Sequence, residues 1–353
     1  MRGFGVFEKG KVGWMEKPDY VCGPDDVICR PVALAPCSSD VHSAMESEGP
    51  HLINRILGHE AIGEVIEAGS NIKDFKVGDI VVIPCTTPTW KHPDIQDGTH
   101  QDAGGLFTAI NFSSYEDGTF ADKIKVRSAD MNCAHLPKNV TVEQAAMAVD
   151  MMTTGFYGSE LADVKFGDTV VVYGIGPVGL MAVASAKLRG AGRIIAIGTR
   201  PNCVELAKEY GATDILSYRD GDLVEQIMEL TNGKGADAAI VAGGGSQALN
   251  NAVGSVKFGG GKVAMLEVIT GEDKTVLDNA FIASFLAHKE IKGGLCPGGR
   301  KRMERLLSLI EFGRIDPAKM ITHRFHGLEG IEPAFELMVN KPRDLIKPIV
   351  LFD

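Results

Sequence analysis

At 353 residues the chain is too long for one ordinary hydrophobic core, so two domains are expected. Its 44% apolar and 23% charged content is that of an ordinary globular protein. The net charge of −10 disfavours nucleic acid and anionic membrane surfaces as partners.

No apolar run approaches the roughly 18 residues that a membrane helix needs, because glycine, charged or polar residues interrupt each one. The first residues carry a basic side chain but no apolar core of a secretory signal. Seven cysteines, odd in number and scattered without a C-x-x-C pair, suit reduced thiols in a cytoplasm better than a disulfide framework.

Along the chain, the first 150 residues carry short β-type runs at 26–30, 61–68, 79–83 and 120–126, separated by Gly, Pro and Asp. Lys76-Val77-Gly78-Asp79 reads as a turn feeding the third of them. This spacing predicts a small, mostly antiparallel β unit. From about 165 the texture changes to alternation. A strand at 169–173 precedes a helix at 178–188, and a strand at 193–197 precedes a helix at 203–210 that Gly211 stops. Apolar runs at 214–217, 238–242 and 262–266 follow, with helical segments between them. Alternating strands and helices with nearly continuous apolar strands predict a doubly wound parallel sheet, so the fold class is α/β. An amphipathic helix at 300–312, a helix near 328–339 and a final strand at 346–351 complete the chain.

Gly174-Ile175-Gly176-Pro177-Val178-Gly179 lies between the strand at 169–173 and the helix after it. Glycines in that place allow a tight turn, backbone approach to a pyrophosphate and close helix–strand packing, with the helix N-terminus facing the negative charge. Alone the pattern is weak, since many such runs are surface turns. The flanking strand and helix and the second strand about 20 residues on make it a dinucleotide site. NAD readers end that second strand in a carboxylate for the ribose 2′-hydroxyl. This chain has Gly198-Thr199-Arg200 instead. A guanidinium binds a 2′-phosphate that a carboxylate would repel, so NADP is favoured. Tyr218, at the end of the next apolar run, is placed to stack on or hydrogen-bond the adenine ribose edge. The competing reading of Arg200 is a solvated cation at a helix start.

Cys37, His59 and Asp150 supply a thiolate, an imidazole and a carboxylate, the donor types of a catalytic zinc with a position left open. Singly each is ambiguous: a cysteine is often core, a histidine structural, an aspartate a helix cap.

Two stretches place them. Gly58-His59-Glu60-Ala61-Ile62-Gly63-Glu64-Val65 and the glycine run at 174–179 resemble those of the zinc-containing alcohol dehydrogenases of the medium-chain dehydrogenase/reductase superfamily, and the likeness spans essentially the whole chain. Ala35-Pro36-Cys37-Ser38-Ser39-Asp40, Asp150-Met151-Met152-Thr153-Thr154-Gly155-Phe156, Lys187-Leu188-Arg189-Gly190-Ala191-Gly192-Arg193 and Lys292-Gly293-Gly294-Leu295-Cys296-Pro297-Gly298-Gly299-Arg300 resemble the NADP-dependent secondary-alcohol (isopropanol) dehydrogenases of bacteria and protists in particular.

The resemblance implies a GroES-like β-rich catalytic domain, 1–150 completed by 296–353, and an NADP-binding Rossmann domain, 151–295. It implies one catalytic zinc on Cys37, His59 and Asp150, with Glu60 as an exchangeable fourth ligand or close neighbour. Asp40 would orient His59 through its second ring nitrogen. Ser39 would take the alcohol proton and pass it toward His42. The cofactor residues would be Gly174, Gly176, Pro177, Val178, Gly179, Thr199, Arg200 and Tyr218. The pocket lining would be Ser39, Cys85, Ile110, Val268 and Leu295.

The chain departs from that pattern in two places. Superfamily members with a structural zinc hold it by four cysteines in the lobe near 85–125, where this chain has only Cys85, so one metal per chain is expected. Relatives carry a tryptophan at the place of Ile110 and a tyrosine near Val268, so a larger apolar pocket is expected. The implied protein is a cytoplasmic homotetramer, with the segment before Cys296 close to a neighbouring subunit, and its substrate a small alcohol or ketone. A polyol- or aldehyde-specific zinc dehydrogenase would share the same metal site. A zinc-free enone or quinone reductase would lack the ligand set, and a non-catalytic relative would have lost part of it.

Overall fold

The computed structural model describes residues 1–45, 53–269 and 274–352. The chain divides into two compact units, Met1–Thr153 with Cys296–Asp353, and Thr154–Leu295. Its strands, in chain order, are β1 Arg2–Glu8, β2 Lys11–Glu16, β3 Val27–Leu34, β4 Arg55–Ile56, β5 Ala61–Ala68, β6 Ile80–Ile83, β7 Ile124–Val126, β8 Ala134–His135, β9 Thr169–Tyr173, β10 Arg193–Ile197, β11 Asp214–Leu216, β12 Ala238–Val241, β13 Lys262–Met265, β14 Glu290–Gly293, β15 Ile321–His326 and β16 Lys347–Leu351.

In the first unit β2, β1 and β4 form a small antiparallel sheet, and β15-β16-β3-β5-β6-β8, with β7 on β3, form a larger one among the described residues. The larger sheet is antiparallel apart from the β15–β16 pair. Its apolar faces bury Val27, Cys29, Leu34, Val65, Val81 and Ile83 in one cluster. The helix Ile331–Asn340 closes that cluster with Ile331, Ala334, Phe335 and Met338, whose spacing is that of one helical face.

Two expectations for this unit change. The strand placed at 26–30 runs on to Leu34. The one placed at 120–126 shrinks to Ile124–Val126, because residues 120–121 belong elsewhere. The Phe120 N–H donates to the Leu57 carbonyl, and the Phe120 carbonyl accepts from the Phe4 N–H, so this segment ties β1 to the approach of His59. The β1–β2 hairpin was not legible in the glycine-broken sequence of residues 2–16.

The second unit is a wholly parallel sheet in the order β11-β10-β9-β12-β13-β14. Counted along the chain this is third, second, first, fourth, fifth, sixth. That is the doubly wound order, with its switch point between β9 and β12. Val170–Tyr173 and Ala238–Val241 are buried throughout, as strands covered on both faces require. The sixth strand, β14, was not anticipated. It is an edge strand of sequence Glu-Ile-Lys-Gly, exposed at every residue, and carries no apolar signal.

Candidate metal centre and cofactor turn

The candidate metal centre is assembled from three segments of the first unit. Cys37 lies just before the helix Ser38–Met45, and His59 and Glu60 lie just before β5. Asp150 sits in Ala148–Met152, a π-helical turn between two α-helical stretches. The sequence suggested only that Asp150 ends a helix. The wider turn is closed by the Met152 N–H on the Met147 carbonyl, a geometry frequent at functional sites.

Asp40 joins the first two segments. Its buried carboxylate accepts the Cys37 N–H at 2.8 Å through Oδ2 and the Gly58 N–H at 3.1 Å through Oδ1. Oδ1 also lies 3.1 Å from His59 Nδ1. With Nδ1–H donating to Asp40, Nε2 is turned toward Asp150 Oδ2 at 3.4 Å and Glu60 Oε1 at 4.0 Å. Gly58 must be glycine here: its φ is +91°, and a Cβ would stand 2.2 Å from the Phe120 ring.

Cys37 Sγ lies 3.5 Å from Asp150 Oδ2. One donor atom from each of Cys37, His59, Glu60 and Asp150 falls within 4.8 Å of the others. Glu60 brings Lys347 of β16 into the set, with Nζ donating to Oε1 at 2.5 Å and both side chains fully buried. Glu60 Oε2 is buried without a hydrogen-bond partner.

The electrostatics fit a divalent cation. Burial pushes the Cys37 thiol up, and it pushes the Glu60 carboxyl up to about 8 against the pull of Lys347. Burial opposes the imidazolium of His59, but Asp40 and Asp150 outweigh it and hold its pKa well above the ordinary value. Lys347 stays cationic because Glu60 and the other acids offset its desolvation. One lysine thus faces more acidic groups than it can neutralise. A zinc ion would balance them and would give Glu60 Oε2 a partner, and its usual sulfur, nitrogen and oxygen donors are those present.

Ser39 Oγ lies 3.3 Å from His59 Nε2, and His42 follows Ser39 by three residues on the same helix, half-buried. Cys85 is buried, with Sγ 3.6 Å from Asp150 Oδ1. Ile110 is half-buried in the first unit, whereas Val268, 70% exposed, and Leu295 belong to the second. The sequence reading missed Lys347. Its one signal was a lysine inside the apolar run Leu345–Leu351.

In the second unit Gly174 turns the chain at φ +83° after β9, and a Cβ on Gly179 would stand 1.8 Å from the Gly174 carbonyl oxygen. The helix Pro177–Leu188 starts from Gly176 with no side-chain cap, which leaves its first N–H groups for a ligand. Arg200 is the N-cap residue of the helix Pro201–Tyr210. Its Nη2 lies 3.8 Å from where a Cβ of Gly176 would be, so the guanidinium stands over the glycine turn. Thr199 Oγ1 and Tyr218 Oη are 3.0 Å apart. The structure therefore gathers Gly176, Thr199, Arg200 and Tyr218 at one end of the sheet. It adds Arg219, whose guanidinium lies 5.7 Å from the Tyr218 ring and which the sequence reading did not single out.

Residues 23–138 match the alcohol dehydrogenase GroES-like domain, and residues 177–311 the zinc-binding dehydrogenase domain. Over 351 residues the chain is 54% identical to the NADP-dependent isopropanol dehydrogenase of Thermoanaerobacter brockii, covering 99% of each. The chain belongs to the zinc-containing alcohol dehydrogenase family. A second member, the NADP-dependent isopropanol dehydrogenase of Clostridium beijerinckii, is 51% identical over 99% of this chain and 100% of its own. Among solved structures of this family, zinc dependent alcohol dehydrogenase 2 from Streptococcus pneumonia superposes with a TM-score of 0.88 at 27% identity, covering 100% of this chain and 99% of that one.

The buried Glu60–Lys347 pair yields a stability test. Lys347→Met leaves a buried carboxyl without its cation and should cost about 3 kcal/mol in urea unfolding of the zinc-loaded protein. Adding Glu60→Gln to Lys347→Met should recover most of that loss. A single variant as stable as the wild type would show that the pair contributes nothing.

Proposed function

We propose that Cys37, His59 and Asp150 hold the catalytic zinc of an NADP-dependent secondary-alcohol dehydrogenase, with Glu60 at its side. Zinc- and NADP-dependent interconversion of alcohol and ketone is the chemistry of this chain, by its likeness to the isopropanol dehydrogenases. The observation that carries the residue assignment is the convergence of sulfur, nitrogen and two carboxylates on one buried point beside an unpartnered Glu60 oxygen. The unit formed by residues 1–153 and 296–353 is then the catalytic domain, and that of residues 154–295 the NADP domain.

When bound, zinc supplies a Lewis acid for the substrate oxygen, and NADP supplies the acceptor for the hydride leaving the carbinol carbon. The protein handles the proton and the geometry. Ser39 Oγ accepts the alcohol proton and passes it on toward His42 one helical turn away; in ketone reduction the proton returns by the same route. Asp40 holds the His59 ring at a fixed angle and in one tautomer. Lys347 holds one oxygen of Glu60 and leaves the other to the cation. Arg200 and the Thr199–Tyr218 pair read the 2′-phosphate, and the uncapped helix start behind Gly176 takes the pyrophosphate.

Ser39, Cys85 and Ile110, all in the first unit, line the proposed pocket. Isoleucine in place of tryptophan at 110 favours ketones larger than acetone. We also propose a cytoplasmic homotetramer. The free cysteines suit a reducing compartment, and in the second unit the exposed edge β14 with exposed Phe285 and Leu286 suits contact between copies.

Three measurements test the assignment. Cys37→Ser and Asp150→Ala should each abolish ketone reduction while NADPH still binds by fluorescence titration; lost NADPH binding would point to general damage instead of metal loss. Arg200→Ala should weaken NADP binding roughly 10- to 100-fold, the value of charge-assisted hydrogen bonds, and leave NAD binding little changed. Equal weakening of both would remove Arg200 from the 2′-phosphate. Ile110→Trp should raise KM for bulky methyl ketones about tenfold or more relative to acetone. An unchanged ratio would place Ile110 outside the pocket.

A further inference from the structure

The two oxygens of Asp150 keep different company. Oδ2 faces Cys37 Sγ at 3.5 Å and His59 Nε2 at 3.4 Å. Oδ1 lies 3.6 Å from Cys85 Sγ, which is in turn 3.6 Å from Cys296 Sγ. Donor atoms of Cys85, Asp150 and Cys296 all fall within 4.8 Å of one another, and all three residues are buried. The catalytic reading makes no use of these thiols as a pair.

The fold holds the pair firmly, from segments far apart in sequence. Cys85 follows β6, and its N–H donates to the Val149 carbonyl at 3.0 Å, next to Asp150. Cys296 precedes Pro297, whose carbonyl accepts the Thr153 hydroxyl at 2.9 Å; that hydroxyl accepts from Arg302 Nε at 3.0 Å. Gly298 packs so tightly on Thr86 that a Cβ there would stand 1.9 Å from the Thr86 carbonyl oxygen. The two sulfurs therefore face each other because the backbone on each side is pinned.

We propose that Cys85, Cys296 and Asp150 Oδ1 form a second cation site, distinct from the catalytic one and selective for a thiophilic divalent ion such as cadmium or excess zinc. Two sulfurs and one carboxylate oxygen are a soft donor set with room for a further ligand. Entry of one dication displaces the two thiol protons, so the buried volume gains no net charge. Asp150 then bridges two cations, each drawing on its negative charge, and its hold on the catalytic cation weakens. Thiophilic ions beyond one equivalent should thus inhibit, and a chelator that removes only the second ion should restore activity.

Cadmium is the probe. Zinc-loaded wild-type protein dialysed against cadmium should hold two divalent ions per chain by elemental analysis, and Cys85→Ala and Cys296→Ala one each, with folding verified by circular dichroism. Cys37→Ser should keep the second ion and its thiolate-to-cadmium ultraviolet absorption, which separates this site from the catalytic assignment. X-ray absorption at the cadmium edge of the wild type needs no variant, and should show two sulfur neighbours where the catalytic set offers one. A single ion in the wild type, retention of the second ion by both alanine variants, or cadmium with fewer than two sulfur neighbours would each overturn the proposal.

Discussion

The metal centre depends on one buried carboxylate. Asp40 accepts the N–H of Cys37, the N–H of Gly58 and the Nδ1 side of His59, so one side chain fixes two proposed ligands from segments 22 positions apart. The position of that carboxylate is set by backbone on both sides. The arrangement also needs Gly58 in the left-handed region, because only there does its N–H reach Asp40 while the chain passes Phe120. Phe120 is in turn tied to β1 through Phe4. Placement of the His59 ring thus rests on a small strand that carries no ligand itself.

The cofactor turn is organised by the opposite means. No side chain caps the helix Pro177–Leu188, and the glycines do their work through absent atoms. The close approach of Gly179 to the Gly174 carbonyl, where even one Cβ would clash, packs the helix start against its strand. Side chains enter only at the end of β10, where Thr199, Arg200 and Tyr218 gather around the ribose edge of the proposed site. Unsatisfied backbone donors recognise the part of the nucleotide common to both dinucleotides, and a guanidinium the part that differs.

What could be read from the sequence follows from how local each signal is. The alternating apolar runs of the second unit and its glycine turn are contiguous in sequence, so the parallel-sheet class and the phosphate turn were legible. β14 was not, because an exposed edge strand buries nothing and leaves no apolar pattern. The proposed ligands Cys37, His59 and Asp150 were nameable only through resemblance, since no spacing rule joins residues so far apart. Lys347 stayed hidden for a related reason. A lysine in a final strand reads as a solvated residue until the fold sets a buried glutamate against it. The facing of Cys85 and Cys296 likewise arises only when the segment after residue 295 returns to the first unit.

Charge balance links these observations. Cys37, Glu60 and Asp150 are three acidic groups in one small volume, with Lys347 the buried cation beside them. With the thiol and both carboxyls ionised, Lys347 would take one charge and a zinc ion beside neutral His59 the other two, so the loaded set would be neutral. The same count sets Glu60 apart from Cys37 and Asp150, because it alone is bonded to Lys347. Paired with Lys347 it needs no metal, and its free oxygen lets it approach the cation without being required to. Cys85 and Cys296 lie outside this balance, and their mutual contact together with burial holds the Cys85 proton in place. A cation there must bring its own compensation by expelling protons, whereas the zinc of the catalytic set completes a charge balance that the fold has already prepared.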